Sequence, residues 1–209
     1  MVDNKKLDGS SIDVDALLVK NPTLFNHIHV INQRFEILPD NMHFGIAIDY
    51  VDLQESREQF IREIINTIVD WVYSPAKQSF VLGELESEGR TKANANSELM
   101  QKAFEKFRSS TDGKLLHGQF GELLLANCLQ YLFGAIPILR KMPIATSSSH
   151  ERFGSDAIHY KETDGKPLFY IGEAKSYTSK YRFAAAFEDA LSSIIKEYNN
   201  IARVLLPES

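Results

Sequence analysis

Asp156, Glu173 and Lys175 are the residues whose types and spacing could support hydrolytic chemistry in this chain. They flank an Asp-Gly dipeptide, Asp164 and Gly165, that lies between two runs of alternating apolar character. Such a dipeptide signals a β-hairpin with a two-residue turn. Counting outward along both arms from that turn places Asp156 opposite Glu173. Opposed residues in a hairpin have Cβ atoms about 4.5–5.5 Å apart, and like charges at that spacing repel. Strand side chains alternate, so Lys175 points to the same face as Glu173 while Ala174 points away. Ile158, Tyr160, Phe169 and Ile171 share that face, which is expected to be buried. An apolar face that ends in two acids and an amine is costly unless the charges neutralise one another or bind a cation. A divalent metal meets that requirement, because Mg²⁺ takes carboxylate oxygens and is often held by only one or two protein carboxylates plus substrate phosphate. Asp156 and Glu173 are then the expected ligands. Lys175 would position the nucleophile or stabilise developing negative charge, and the reaction would be phosphodiester hydrolysis without a covalent intermediate. A surface hairpin with an ordinary Glu-Lys pair is the alternative reading of the same residues.

Three stretches extend the pattern: HGQFGELLL from His117, ERFGSDAIHY from Glu151 and FYIGEAKSY from Phe169. With Glu122 in the first, GSD at Gly154 to Asp156 and GEAK at Gly172 to Lys175, the chain resembles the PD-(D/E)XK nuclease superfamily. Within it, the stretches are similar to HamA, the nuclease subunits of Hachiman antiphage defence. Ser155 stands where the superfamily's name has proline. The resemblance implies an α/β (α+β) chain with a restriction-endonuclease-like core (αβββαβ). It implies Mg²⁺ or Mn²⁺ at Asp156, Glu173, the Ala174 backbone carbonyl and Glu122. It also implies a DNA-cleaving effector that works with a superfamily 2 helicase, HamB, which restrains it until triggered. The alternative is a non-catalytic nuclease-fold module that regulates a helicase partner.

The elements that must position these residues follow from periodicity and turn signals. A helix is expected over Lys114 to Phe133, ended by Gly134, then a strand over Ile136 to Ile144 and a Ser-rich loop to Ser155. Strands Asp156 to Glu162 and Leu168 to Lys175 enclose the turn, and a helix runs from Tyr181 to Asn199. The closing strand of the core falls on Ile201 to Leu206. Gly118 and Gly121 would let the first helix approach the sheet closely. Gln119 and Gln130 lie near Glu122 on the helical wheel, so a solvated polar stripe remains the other reading of that acid. His159, opposite Tyr170 on the hairpin's other face, is read as packing.

Upstream, His27 to Ile37 and His43 to Val51 alternate as two strands around a turn at Pro39 to Asn41. Asp52 with Glu55 resembles a capping box before a helix whose apolar stripe runs from Phe60 to Val72. Ser74 to Asn96, with Pro75, Gly83 and Gly89, reads as a loop. Ser97 then caps a helix through Phe107. A shift to small polar residues near Ser109 to Gly113 divides the chain into an N-terminal α+β extension, residues 1–110, and a nuclease core, residues 111–209. The extension is the candidate partner-docking region.

Charge and composition narrow the class. The net charge of −5 argues against a generally adhesive nucleic-acid binder, yet the distribution is uneven. Residues 1–110 hold 12 Lys+Arg against 17 Asp+Glu, whereas residues 140–182 hold 8 against 5. Arg140, Lys141, Arg152, Lys180 and Arg182 flank the candidate site and could neutralise DNA phosphates, although each alone also reads as a solvated charge. No base-reading element is evident, which implies weak sequence preference. The absence of G-x-x-x-x-G-K-[ST] means that ATP-driven work would come from another chain. A single cysteine, Cys128, rules out an internal disulfide and a cysteine-based zinc cluster, in keeping with a cytoplasmic setting. The first twenty residues lack a signal-peptide pattern. The apolar run from Leu123 to Leu139 is broken by Asn127, Gln130, Gly134 and Pro137, so no membrane span is expected.

Overall fold

Gly165 and Asp164 both adopt positive φ, 70° and 51°, the left-handed pair that a two-residue type I′ turn requires. The computed structural model in which they lie describes residues 17–33, 43–51, 54–107, 113–139, 156–177 and 183–205. In chain order its elements are α1 (Pro22–Phe25), β1 (Ile28–Gln33), β2 (His43–Ile48), β3 (Tyr50–Val51), β4 (Gln54–Glu55), α2 (Arg57–Asn66) and α3 (Ile68–Val72). There follow α4 (Pro75–Ser87), α5 (Lys92–Phe107), α6 (Gly113–Phe133), β5 (Ile136–Leu139), β6 (Ala157–Thr163), β7 (Lys166–Gly172) and α7 (Phe183–Leu205). The chain is thus mixed α/β.

The turn sets the register expected from its sequence. Strands β6 and β7 pair antiparallel from Thr163↔Lys166 to Ala157↔Gly172, with His159 opposite Tyr170. The expected pairing of Asp156 with Glu173 does not form: the ladder ends at Ala157↔Gly172, and the Asp156 N–H donates out of register to the Gly172 carbonyl. Strand β5 joins the other edge of β6, with an irregularity between Pro137 and Leu139, giving the sheet order β5-β6-β7. The expected buried face is corrected. Phe169 is 58% exposed and Ile158, Tyr160 and Ile171 are half-buried, whereas Ala157 and His159, on the opposite face, are 4% and 1% exposed. Alternation tells which residues share a face, but the docking of α6 decides which face is covered.

Strands β1 and β2 pair antiparallel from Ile28↔Ile48 to Gln33↔His43, and β3 pairs with β4. Residues 34–42, including the expected turn at Pro39 to Asn41, lie outside the described residues. The apolar stripe beyond them is real, with Phe60, Ile64, Ile68 and Val72 buried at four-residue spacing. It is carried by two helices, however, broken at Thr67, whose hydroxyl donates to the Ile64 carbonyl at 2.7 Å. The helix start is at Ser56 and not at an Asp52 capping box: Ser56 occupies the N-cap position, and Asp52 lies outside the described residues.

The loop expected over Ser74 to Asn96 is instead helical. Pro75 sits at the first helical position, where its missing N–H costs nothing, and the Ser74 hydroxyl accepts from Lys77 N–H at 3.3 Å. Gly89, at φ 89°, closes α4 in a Schellman motif, with Arg90 N–H donating to the Leu85 carbonyl and Gly89 N–H to the Glu86 carbonyl. Helix α5 begins five residues before Ser97, because Thr91 accepts from Asn94 N–H at 3.3 Å and provides the cap. Of the closing strand expected over Ile201 to Leu206, residues 201–205 are helical instead, and Leu206 lies outside the described residues. Helix α7 runs through Leu205, and Ile201, Val204 and Leu205 continue a helical spacing.

Helix α6 is apolar around much of its circumference and lies at the centre, as such a helix must. Leu123 and Cys128 belong to a buried cluster with Leu24, Phe25, Ile64, Val72, Leu99 and Phe107, so residues on both sides of position 110 share one core. Asn127, 4% exposed, bridges three elements: its amide donates to Thr67 Oγ1 and to the Leu123 carbonyl at 2.9 Å each, and its oxygen accepts from Asn21 at 2.9 Å. Phe133, at the end of α6, meets Phe44 of β2 edge-on at 5.3 Å and Tyr170 of β7 at 5.4 Å between centroids. No helix among the described residues is long and apolar enough to cross a membrane.

Two measurements test this core. Asn127→Leu strips Thr67 and Asn21 of a partner and should lower unfolding free energy by about 1–3 kcal/mol in urea titration. Burial pushes the Cys128 thiol from 9.0 up to about 11. Its stabilising contribution is therefore full below pH 9 and lost as pH rises through about 11. The folded chain should also resist iodoacetamide at pH 8 and react promptly once unfolded.

Candidate functional site

Beyond Gly172 the chain leaves the β ladder, and Asp156 supplies the hydrogen bonds that hold it. The Asp156 N–H donates to the Gly172 carbonyl at 3.0 Å, and Asp156 Oδ2 accepts from the Ala174 N–H at 2.8 Å. A charged acceptor makes the second bond stronger than a neutral one. Glu173, enclosed between these contacts, has a side chain only 7% exposed and takes a 2.6 Å ion pair from Lys175 Nζ. A carboxylate so buried would be expensive without that partner. The ammonium responds in turn. Its hydrogen bond to Glu173 holds the Lys175 pKa above the ordinary lysine value; partial burial opposes this, and the charges of Glu173, Asp156 and Asp189 reinforce it. Asp156, Glu173 and Lys175 therefore share one electrostatic neighbourhood.

Helix α6 closes on this segment through glycine. A Cβ at Gly121 would lie 2.5 Å from Ser176 Oγ and 3.4 Å from Ala174 Cβ. One at Gly172 would lie 3.0 Å from Leu125 Cδ2 and 3.2 Å from Ala157 Cβ. Gly121 thus makes the close approach expected of it; Gly118 does not, with nothing within 4 Å. Glu122, the neighbour of Gly121, is half-buried on α6. Gln130 is 5% exposed, and its side chain accepts from Val19 N–H at 3.2 Å, so the polar residues of α6 do not form one solvated stripe.

Two carboxylates are the hard oxygen donors that Mg²⁺ or Mn²⁺ accepts together with water and phosphate, so the donor chemistry at Asp156 and Glu173 fits such an ion. Among the described residues, no group of three or more His, Cys, Asp or Glu side chains is arranged to hold a metal. Glu122, Asp156 and Glu173 therefore do not meet in a single three-acid cluster. Ala174 presents its N–H to Asp156. Arg140, Lys141, Arg152, Lys180 and Arg182 lie outside the described residues, as does the loop from Ala145 to Ser155.

Two residues join the site that sequence reasoning did not single out. The Tyr177 hydroxyl, two positions after Lys175, donates to Asp189 Oδ2 of α7 at 2.5 Å. The adjacency of Tyr177 to GEAKS was a signal, but no periodicity links it to an acid twelve residues on, in another element.

A family model described as HamA matches residues 23–208. No curated protein and no solved structure matches the chain.

The close-packed Gly172 and the open Gly118 make a contrast that equilibrium unfolding can measure. Gly172→Val should destabilise by about 1–3 kcal/mol through overpacking against Leu125 and Ala157. Gly118→Ala, in open space on the same helix, should be neutral or stabilising by up to about 1 kcal/mol.

Proposed function

The chain belongs to the HamA family, and from that premise we propose that it is a metal-dependent DNA endonuclease. It acts in the cytoplasm as the effector of a Hachiman antiphage defence complex with a superfamily 2 helicase. The observation that carries this reading is that Asp156 accepts from the Ala174 N–H and Lys175 pairs with Glu173 within one short segment past the open end of the β6–β7 hairpin. The succession α6-β5-β6-β7-α7 supports a restriction-endonuclease-like core in which α7 stands where the closing strand was expected.

In this reading Asp156 and Glu173 hold Mg²⁺ or Mn²⁺, with Glu122 and the Ala174 carbonyl as further ligands. The bound ion would polarise the scissile phosphate and lower the pKa of water. Asp156 is aimed by the Ala174 N–H, which restricts its carboxylate to one orientation. Lys175 remains an ammonium because Glu173 favours its charged form, so it offers a fixed positive charge to the phosphate oxygens as negative charge develops. Arg140, Lys141, Arg152, Lys180 and Arg182 contact the DNA backbone without reading bases. Residues 1–110 supply the helicase-docking surface.

The second reading, a non-catalytic nuclease-fold module that regulates the helicase, draws on one observation: both acids already have protein partners and no three-acid cluster is formed among the described residues. The assay that separates the two uses the chain assembled with its helicase, supercoiled and linear DNA, and Mg²⁺ or Mn²⁺. Cleavage should require the metal and fall by a factor on the order of 10²–10⁴ in Glu173→Gln and Lys175→Ala, with unchanged circular dichroism. Equal cutting by wild type and variants, or cutting that survives chelation, would remove the nuclease reading. DNA binding without any cutting would favour the regulatory module.

A further inference from the structure

Among the described residues, the segment that carries Glu173 and Lys175 has no strand partner. The β6–β7 ladder ends at Ala157↔Gly172, and residues 173–177 have no regular secondary structure. An irregular segment holds a side chain in place only if it is tied at both ends. Its near end is tied by Asp156, through the Ala174 N–H. Its far end is tied to a different element, where the Tyr177 hydroxyl donates to Asp189 on α7 at 2.5 Å. Lys175 lies between the two ties.

We propose that the Tyr177–Asp189 hydrogen bond is a clasp that fastens residues 173–177 to α7, and that Asp189 is thereby a positioning residue for Lys175. The proposal rests on the nuclease reading for its catalytic half and on geometry alone for its positional half. Three features support it. The bond is short and has a charged acceptor, the class of hydrogen bond that best fixes a phenol. The Asp189 carboxylate, which takes the phenol, also belongs to the charge environment of the same segment. On the side facing α6, Gly121 leaves room for Ser176 Oγ, so the segment lies between α6 and α7. A lysine that neutralises developing charge acts through its position, and displacement by about 1 Å can cost on the order of 10²-fold in rate.

The test uses the chain assembled with its helicase and compares Tyr177→Phe, Asp189→Ala, the double variant and Asp189→Asn, with Glu173→Gln as the floor. Tyr177→Phe and Asp189→Ala should each lower kcat on the order of 10- to 10²-fold with little change in KM for DNA. The double variant should be no slower than either single one. Asp189→Asn keeps an oxygen acceptor for the phenol and should recover most of the rate. Wild-type rates in the single variants, losses that multiply in the double variant, or no recovery with Asn would overturn the clasp. Amide hydrogen exchange across residues 174–177 reads the positional half separately. It should accelerate at least tenfold in Asp189→Ala and return in Asp189→Asn; unchanged exchange overturns the proposal whatever the cleavage result. If wild type cuts no faster than Glu173→Gln while exchange responds as stated, the nuclease reading fails and the clasp stands as a structural tie.

Discussion

Helix α6 touches the end of strand β7 at a distance set by hydrogen atoms. At Gly121 and Gly172 the space a side chain would need is already taken, by Ser176 and Ala174 at the first and by Leu125 and Ala157 at the second. The other side of the same helix is committed to Leu123 and Asn127 among the N-terminal elements. The helix therefore has little freedom to rotate or retreat, because improving one contact would open the other. Close-packed interiors transmit such constraints instead of absorbing them. The acids and the amine at the hairpin's open end inherit their placement from this double commitment.

Electrostatics at that end follows the same economy. Glu173 is almost wholly removed from solvent, and Lys175 half accompanies it, so each makes the other tolerable. A pair with one partner sheltered and the other open to solvent contributes little to stability, and its value lies in where it holds charge. The raised Lys175 pKa gives a contribution that is complete below the ordinary lysine value and disappears as alkaline pH passes the raised one. Asp156 binds the backbone on both sides of Glu173, so it serves as a local fastening as well as a candidate ligand.

How legible this was depends on how local the governing physics is. The β6–β7 register could be read from Asp164 and Gly165, because a turn with two left-handed residues leaves one pairing available. The buried side of that hairpin could not, since it depends on Leu125 arriving at Gly172 from a helix more than forty positions earlier. Helix α4 was hidden by residues that usually break structure: Pro75 and Gly89 stand at its two ends, where they begin and finish a helix, and Gly83 sits at an open position inside it. The C-terminal apolar residues were read at a strand's spacing although they continue the period of α7. Asp189 carried no local mark, because its partner Tyr177 belongs to another element. The Glu173–Lys175 ion pair could be anticipated from the Glu-x-Lys spacing, but its position could not, because the ladder governed by the turn ends at Gly172.

The brevity of the connection at Asp164 and Gly165 constrains how this chain can vary in length. Side chains on a strand alternate with period two, so a shift of one position exchanges the faces of everything downstream. A slip of β7 by one position would turn its exposed face, which carries Phe169, toward the side where Leu125 meets Gly172. A bend that absorbs an added residue within the loop leaves the sheet as it is, whereas one that passes it into a strand exchanges the two faces.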